Sequence, residues 1–269
     1  MGAVDFSIDT KLVACLQRAL PISVFVETGT FEGEAIARVR DLFDEIHSIE
    51  LSDHYYAQAA DRFAGDRHVK LHHGDSRQTL VSLRPMLADR AVLYWLDAHW
   101  CVADETAGAQ SQCPLLDELE ALRRLNAESV LLIDDARLFL ATPPAPHESS
   151  EWPRFQQVLR KMLLLSPSHE IMVINDVIVL FPELAQEAVT DYARSHGTDW
   201  LAELHRRDSY AQQRDVFARV AQERLEALES LTQVEEGRLD AIHQLRAAIK
   251  QRGKQVAKAA KWRSFVRPR

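Results

Sequence analysis

The chain has 269 residues, 46% of them hydrophobic, which is enough for one α/β domain with an appendage, and no apolar run approaches the ~18 residues that a membrane span needs. The formal net charge is −8, yet from Ala241 onward there are nine basic and no acidic residues, leaving 23 basic and 40 acidic residues before that point. An acidic body with a basic tail argues against a nucleic-acid-binding core and for a tail with its own partner. Three cysteines (Cys15, Cys101 and Cys113), odd in number and without a CxxC pair, argue against a disulfide framework and fit a reducing cytoplasm. The first residues show neither a signal peptide nor a myristoylation pattern, since Phe6 stands where the latter needs Ser or Thr.

The first 183 residues alternate short apolar runs with helical stretches. Strands are predicted over Val24–Glu27, Glu45–Ile49, Val69–His72, Val92–Asp97 and Val130–Ile133. Helices are predicted over Glu34–Phe43, His54–Phe63, Ser76–Met86, Pro114–Leu125 and Pro153–Leu164. This alternation gives an α/β, Rossmann-like, doubly wound sheet. Two apolar runs within Glu170–Phe181, separated by Asn175-Asp176, predict a closing antiparallel hairpin. The organisation expected is a body over 1–183, connecting helices over 184–206, a long amphipathic helix or coiled coil over 207–262 and a basic tail over 263–269. In the long helix, Phe217, Leu228, Leu231, Leu239, Ile242, Leu245, Ile249 and Val256 recur at three- and four-residue spacing. A strict heptad places Glu235 and Arg238 in the seam near Gly237, and a stutter there repairs it.

Each predicted parallel strand ends at or just before an acid: Glu27, Glu50, Asp75, Asp97 and the pair Asp134-Asp135. Ligands of open α/β sheets bind outside these strand ends, and the acids gathered at five strand ends need donors or a cation to offset their repulsion. The segment Phe25–Gly33 is a strand, a glycine turn and a helix start. Gly29 and Gly33 permit close backbone approach, but Glu27 and Thr28 stand where a dinucleotide fingerprint would begin with glycine. Glu50 either accepts the hydroxyls of a ribose or belongs to the cap region of the next helix. Asp75 either accepts from an adenine amine or caps the helix starting at Ser76. Asp97, Asp134 and Asp135 offer the oxygen ligands that suit a hard divalent ion, Mg²⁺ first. His99 is either a general base for a substrate hydroxyl or a structural hydrogen-bonding group. His47, His54, His68, His72 and His73 read as surface residues, because no pattern makes them a zinc set.

In order, the segments ETGTFEG, SIELSD, HHGDS, WLDAHW and LLIDDAR resemble the class I S-adenosylmethionine-dependent methyltransferases. The resemblance is to metal-dependent O-methyltransferases of the catechol O-methyltransferase type and their relatives acting on sugars and polysaccharides. It covers roughly Ile22 to Phe181. It implies S-adenosylmethionine held by Glu27, Gly29, Phe31, Gly33, Glu50, Asp75, Ser76 and Asp97, with Mg²⁺ on Asp97, Asp134 and Asp135. Two positions depart from the catechol enzymes. Trp100 stands in place of their lysine base, which leaves His99 with Asp97 as the catalytic pair, and Asp135 stands in place of their usual asparagine. The reaction implied is in-line attack of a sugar or polysaccharide hydroxyl on the sulfonium methyl. The segment Cys101–Leu115 reads as a loop over the substrate.

The long helix implies a homo-oligomer or a partner protein, since a single apolar stripe seldom stands alone in water. The basic tail with Trp262 and Phe265 either lies on an anionic membrane surface or is a frayed terminus, so the expected location is cytoplasmic, at the inner face of the membrane in the first case. The alternative to an enzyme is a non-catalytic Rossmann adaptor recruiting a glycan-assembly partner through its C-terminal helix. A nicotinamide-dependent sugar dehydrogenase shares the fold but lacks the glycine fingerprint.

Overall fold

A computed structural model describes residues 7–100 and 112–265, with side chains through 258. Most of the expected substrate loop Cys101–Leu115, and the side chains of the basic tail, therefore lie outside the described residues.

Seven strands form one sheet: β1 (Val24–Thr28), β2 (Glu45–Glu50), β3 (Val69–His73), β4 (Val92–Leu96), β5 (Val130–Ile133), β6 (His169–Ile174) and β7 (Val177–Pro182). Their order is β3-β2-β1-β4-β5-β7-β6. The first five are parallel, whereas β7 runs antiparallel to both β5 and β6. The fold is thus a Rossmann-like, doubly wound sheet closed by an antiparallel hairpin. Asn175 and Asp176, at φ 49° and 70°, make the two-residue turn of that hairpin in the left-handed conformation such turns demand.

Alternation along the central strands divides the core. Phe25, Leu93, Trp95 and Leu132 point to one face, where they meet α1 (Thr10–Ala19), α2 (Glu34–Val39), α3 (Asp53–Arg62) and α8 (Gln186–His196). Val24, Val26, Leu96, Leu131 and Ile133 point to the other, against α4 (Ser76–Leu87), α5 (Leu115–Leu122) and α7 (Phe155–Leu165). A sheet covered on both faces requires strands apolar on both sides, as β1, β4 and β5 are. A short helix, α6 (Arg137–Leu140), follows β5.

Several elements differ from the sequence reading. The α1 helix is not among the expected elements, although Asp9 caps it by accepting from the Lys11 N–H at 2.7 Å and Leu12, Val13 and Leu16 are fully buried. The α2 helix stops at Val39, short of Phe43, because Phe43 turns into the core and packs on Phe25 with ring centroids 5.3 Å apart. His47 is not a surface residue: it is buried, with Nδ1 2.9 Å from His72 Nε2 and Nε2 3.0 Å from Glu45 Oε1.

The first compact unit runs to Thr198. The α8 helix belongs to it, since Val189 and Tyr192 are buried in the same cluster as Leu12 and Leu16. Asn175 fastens its end, donating to the His196 carbonyl at 2.6 Å and accepting from the Thr198 N–H at 2.7 Å. Among the described residues, the second unit, from Asp199, holds a single helix, α9 (Trp200–Phe265), of 66 residues. Among the described residues, no helix is long and apolar enough to cross a membrane.

Candidate functional site

The site is built at the carboxyl ends of the parallel strands. After β1 the chain turns sharply: Gly29 (φ 82°), Phe31 (φ 47°) and Gly33 (φ 76°) all adopt left-handed conformations. Gly29 lies so close to the end of β4 that a Cβ there would stand 2.3 Å from the Asp97 carbonyl oxygen. The turn therefore has no room for a side chain at 29, and the glycine brings the β1 and β4 ends together.

Glu27 ends β1 with its side chain almost wholly buried, accepting a hydrogen bond from the Ser48 hydroxyl, which is 2.6 Å from Thr30 Oγ1. Burial pushes its carboxyl up to about 8, against the lowering effect of Ser48 and with a further rise from the charge of Glu50. Glu50, at the end of β2, is buried and rigidly held. Its Oε2 accepts from the Phe31 N–H and its Oε1 from the Ser52 N–H, each at 2.8 Å. Each oxygen keeps a lone pair to offer a ligand. Phe31 packs on Tyr55 with centroids 4.5 Å apart, forming an aromatic wall beside that carboxylate. Asp75 caps α4, its Oδ1 accepting from the Gln78 N–H at 2.9 Å, so the capping role is realised and Oδ2 remains to meet a ligand.

The ends of β4 and β5 carry the densest charge. His99 Nε2 lies 3.1 Å from Asp135 Oδ2 and 3.6 Å from Asp97 Oδ1. Arg137 Nη1 donates to Asp135 Oδ1 at 2.5 Å and also reaches Asp176 of the hairpin turn. Asp134 Oδ1 accepts from the Asp135 N–H at 2.7 Å. Burial disfavours charge on His99, but the hydrogen bond to Asp135 and the charges of Asp97, Asp135 and Asp134 outweigh it, lifting the imidazole to about 9. Burial and the neighbouring Asp135 lift Asp134 to about 7, while Asp97 is raised by burial and Asp134. Asp135 is held at about 2, because His99 and Arg137 overcome its burial.

This pattern bears on the expected metal site. Both carboxylate oxygens of Asp135 are taken by cationic side chains, and Asp134 is turned toward a backbone N–H. Among the described residues no group of three or more His, Cys, Asp or Glu side chains is arranged to hold a metal ion. The donor set in this arrangement does not fit a divalent cation, and His99 and Arg137 supply positive charge beside Asp97, Asp134 and Asp135.

Two groups were not legible as site residues. Trp152 and Phe139 wall off His99, with ring centroids 5.5 and 6.1 Å from the imidazole, and His147 stacks edge-on against Trp100 and Trp152. They come from loops and a short helix after β5, with no periodic signal to mark them. Glu118 is buried on α5, and burial raises its carboxyl, with the nearby Ser76 and Thr28 acting in the lowering direction. A signal for it exists: it interrupts the apolar stripe of Leu115, Leu119 and Leu122 at a core position.

No protein-family model matches the chain, and no curated protein matches it in sequence. Solved structures do match in shape. A Staphylococcus aureus chain provisionally assigned as a caffeoyl-CoA O-methyltransferase superposes with a TM-score of 0.44 at 14% identity, over 65% of this chain and 84% of its own. A provisionally assigned Streptococcus mutans methyltransferase in complex with SAH gives 0.43 at 12% identity, over 62% and 93%. A TehB-like SAM-dependent methyltransferase from Corynebacterium glutamicum gives 0.39 at 12% identity, over 64% and 88%. All three bear the name of methyltransferases.

Proposed function

We propose that this protein is an S-adenosylmethionine-dependent O-methyltransferase whose acceptor is a hydroxyl of a sugar or polysaccharide. The observation that carries the reading is Glu50. Its carboxylate is fixed by two backbone N–H groups at the end of β2, beside the glycine turn of β1, with a lone pair on each oxygen free for a vicinal diol. The order of the strand-end motifs supports it, and so does the row of Glu27, Asp75 and Asp97 on neighbouring strands.

The residues fit the cofactor. Glu50 would accept from the ribose hydroxyls, Phe31 and Tyr55 would flank the nucleoside, and the free oxygen of Asp75 would face the adenine amine. The protonated carboxyl that burial favours at Glu27 would donate a hydrogen bond near the methionine end. Bound there, S-adenosylmethionine supplies an electrophilic methyl group. On the acceptor side, Asp135 holds His99 through Nε2; the imidazole, lifted to about 9, is cationic at neutral pH, and Nδ1 can take the hydroxyl proton only after the ring has lost its own, so this role would strengthen as pH rises toward 9. Trp152 and Phe139 exclude water from that imidazole.

Calorimetric titration of S-adenosylmethionine into wild type and Glu50→Ala tests the reading. Micromolar affinity in the wild type, weakened about tenfold or more in the variant, is expected for the loss of charge-assisted hydrogen bonds. A folded wild type that binds no cofactor overturns the proposal and leaves the non-catalytic adaptor.

A further inference from the structure

The α9 helix carries an apolar stripe that, within its own unit, nothing covers. Phe217, Leu228 and Leu239 are spaced by eleven residues, as are Val220, Leu231 and Ile242, and every one of them is exposed. Val234, Leu245 and Val256 repeat the same interval. An eleven-residue repeat is close to the natural period of the α-helix, so the stripe runs nearly straight, where a heptad would drift and need a stutter. A stripe of this length needs a companion helix in water.

Charge identifies the companion and its direction. Residues 223–240 hold six acids (Glu223, Glu226, Glu229, Glu235, Glu236 and Asp240) and two bases, Arg224 and Arg238. Residues 241–258 hold five bases (Arg246, Lys250, Arg252, Lys254 and Lys258) and no acid. Two of these charges, Glu235 and Arg246, lie eleven residues apart and so share one position on the apolar stripe. A parallel pair would set Glu235 against Glu235 and Arg246 against Arg246 in the seam, and the acidic and basic blocks against themselves.

We infer that α9 pairs antiparallel with α9 of a second copy of this chain, the two-fold axis passing at the Asp240–Ala241 bond. Residues equidistant from that bond then lie level. Glu235 meets the second copy's basic position 246, and the acidic block faces the basic one. Leu239 lies level with position 242 of the other copy and Leu225 with position 256, while Leu228 and Leu231 lie level with the glycine at 253 and the lysine at 250, so the apolar layers gather at the axis and at the ends of the paired stretch. The paired stretch, 223–258, is 36 residues, or roughly five heptads, long enough for a self-sufficient coiled coil.

Sedimentation equilibrium on the full chain, wild type and charge variants, tests this. The wild type should be a dimer at micromolar concentration. Glu235→Arg, which sets like charges level with each other twice per dimer, should weaken dimerisation by about tenfold or more, and Arg246→Glu likewise. The double variant, which restores opposite charges, should recover wild-type affinity. A monomeric wild type overturns the inference, as does a trimer. Single variants that associate as the wild type does, or a double variant as weak as either single, overturn the antiparallel register. Circular dichroism checks that each variant keeps its helix content.

Discussion

His99 and Asp135 meet at 3.1 Å from the ends of two adjacent parallel strands, an imidazole and a carboxylate that sequence separates by 36 residues. The pair decides the charge balance of the site, because Asp97 and Asp134 also face the ring. Replacing His99 by Leu should lower unfolding stability by about 3 kcal/mol, since, among the described residues, it leaves Arg137 as the one cationic side chain beside the carboxylates of Asp135, Asp134 and Asp97. His99→Gln, which can still donate to Asp135, should lose less. Urea denaturation of the two variants checks the order, and equal losses would mean that packing under Trp152, rather than pairing, sets the cost.

The arrangement around Asp135 also predicts the response to metal. With both its oxygens engaged, wild-type melting in magnesium and in EDTA should agree within about 1 °C. The double variant His99→Gln, Arg137→Ala, which frees the carboxylates, should gain a magnesium-dependent rise. A wild type stabilised by several degrees would show that the side chains rearrange to chelate.

Gly29 gives the sharpest steric prediction. Alanine there combines a positive φ with a Cβ 2.3 Å from the Asp97 carbonyl oxygen. Gly29→Ala should cost about 2–4 kcal/mol and disturb the mutual placement of the β1 and β4 ends. Denaturation and cofactor titration on the same variant should both register it.

Glu27 predicts a pH dependence. Its folded value of about 8 lies above the ordinary 4.5, so the native state holds a proton that the unfolded state has released. This carboxyl therefore stabilises least at high pH: its contribution falls as pH rises from about 4.5 to about 8 and is level beyond. Glu27→Gln removes the dependence. The melting temperature of the variant relative to wild type should rise between pH 5 and pH 8, and a difference independent of pH would show that Glu27 is ionised in the native protein.

Strands β1, β4 and β5 were readable because parallel strands buried on both faces are short, continuous apolar runs, whereas β2 and β3 followed from the strand–helix alternation and the hairpin from its Asn175-Asp176 turn. The acids that end β1, β4 and β5 were readable for the same reason, each marking where the apolar run stops. The α1 helix carries its own signal, with Asp9 as cap and apolar residues at 12, 13, 16 and 20, but it precedes the strand–helix alternation that marks the sheet. His47 could not be placed, since its burial depends on His72 of the neighbouring strand and Glu45. Nor could the pairing of Asp135 with Arg137 and His99: three carboxylates in a row suit a cation equally whether it is a metal or a guanidinium, and only the tertiary arrangement separates the two. Trp152 reaches His99 across the segment after β5, a contact that no local pattern encodes.

The closing hairpin has a consequence for how the molecule comes into being. Asp176, at its turn, takes the Arg137 N–H at 2.7 Å as well as the guanidinium that neutralises Asp135. The strand that follows, β7, slots between β5 and β6, so the sheet cannot be finished by simple addition at its edge. A chain that stops at α7 includes every strand-end acid in its sequence but lacks Asp176, the residue that anchors Arg137. The charge balance beside Asp135 therefore depends on the docking of the turn, and so on completion of the first unit.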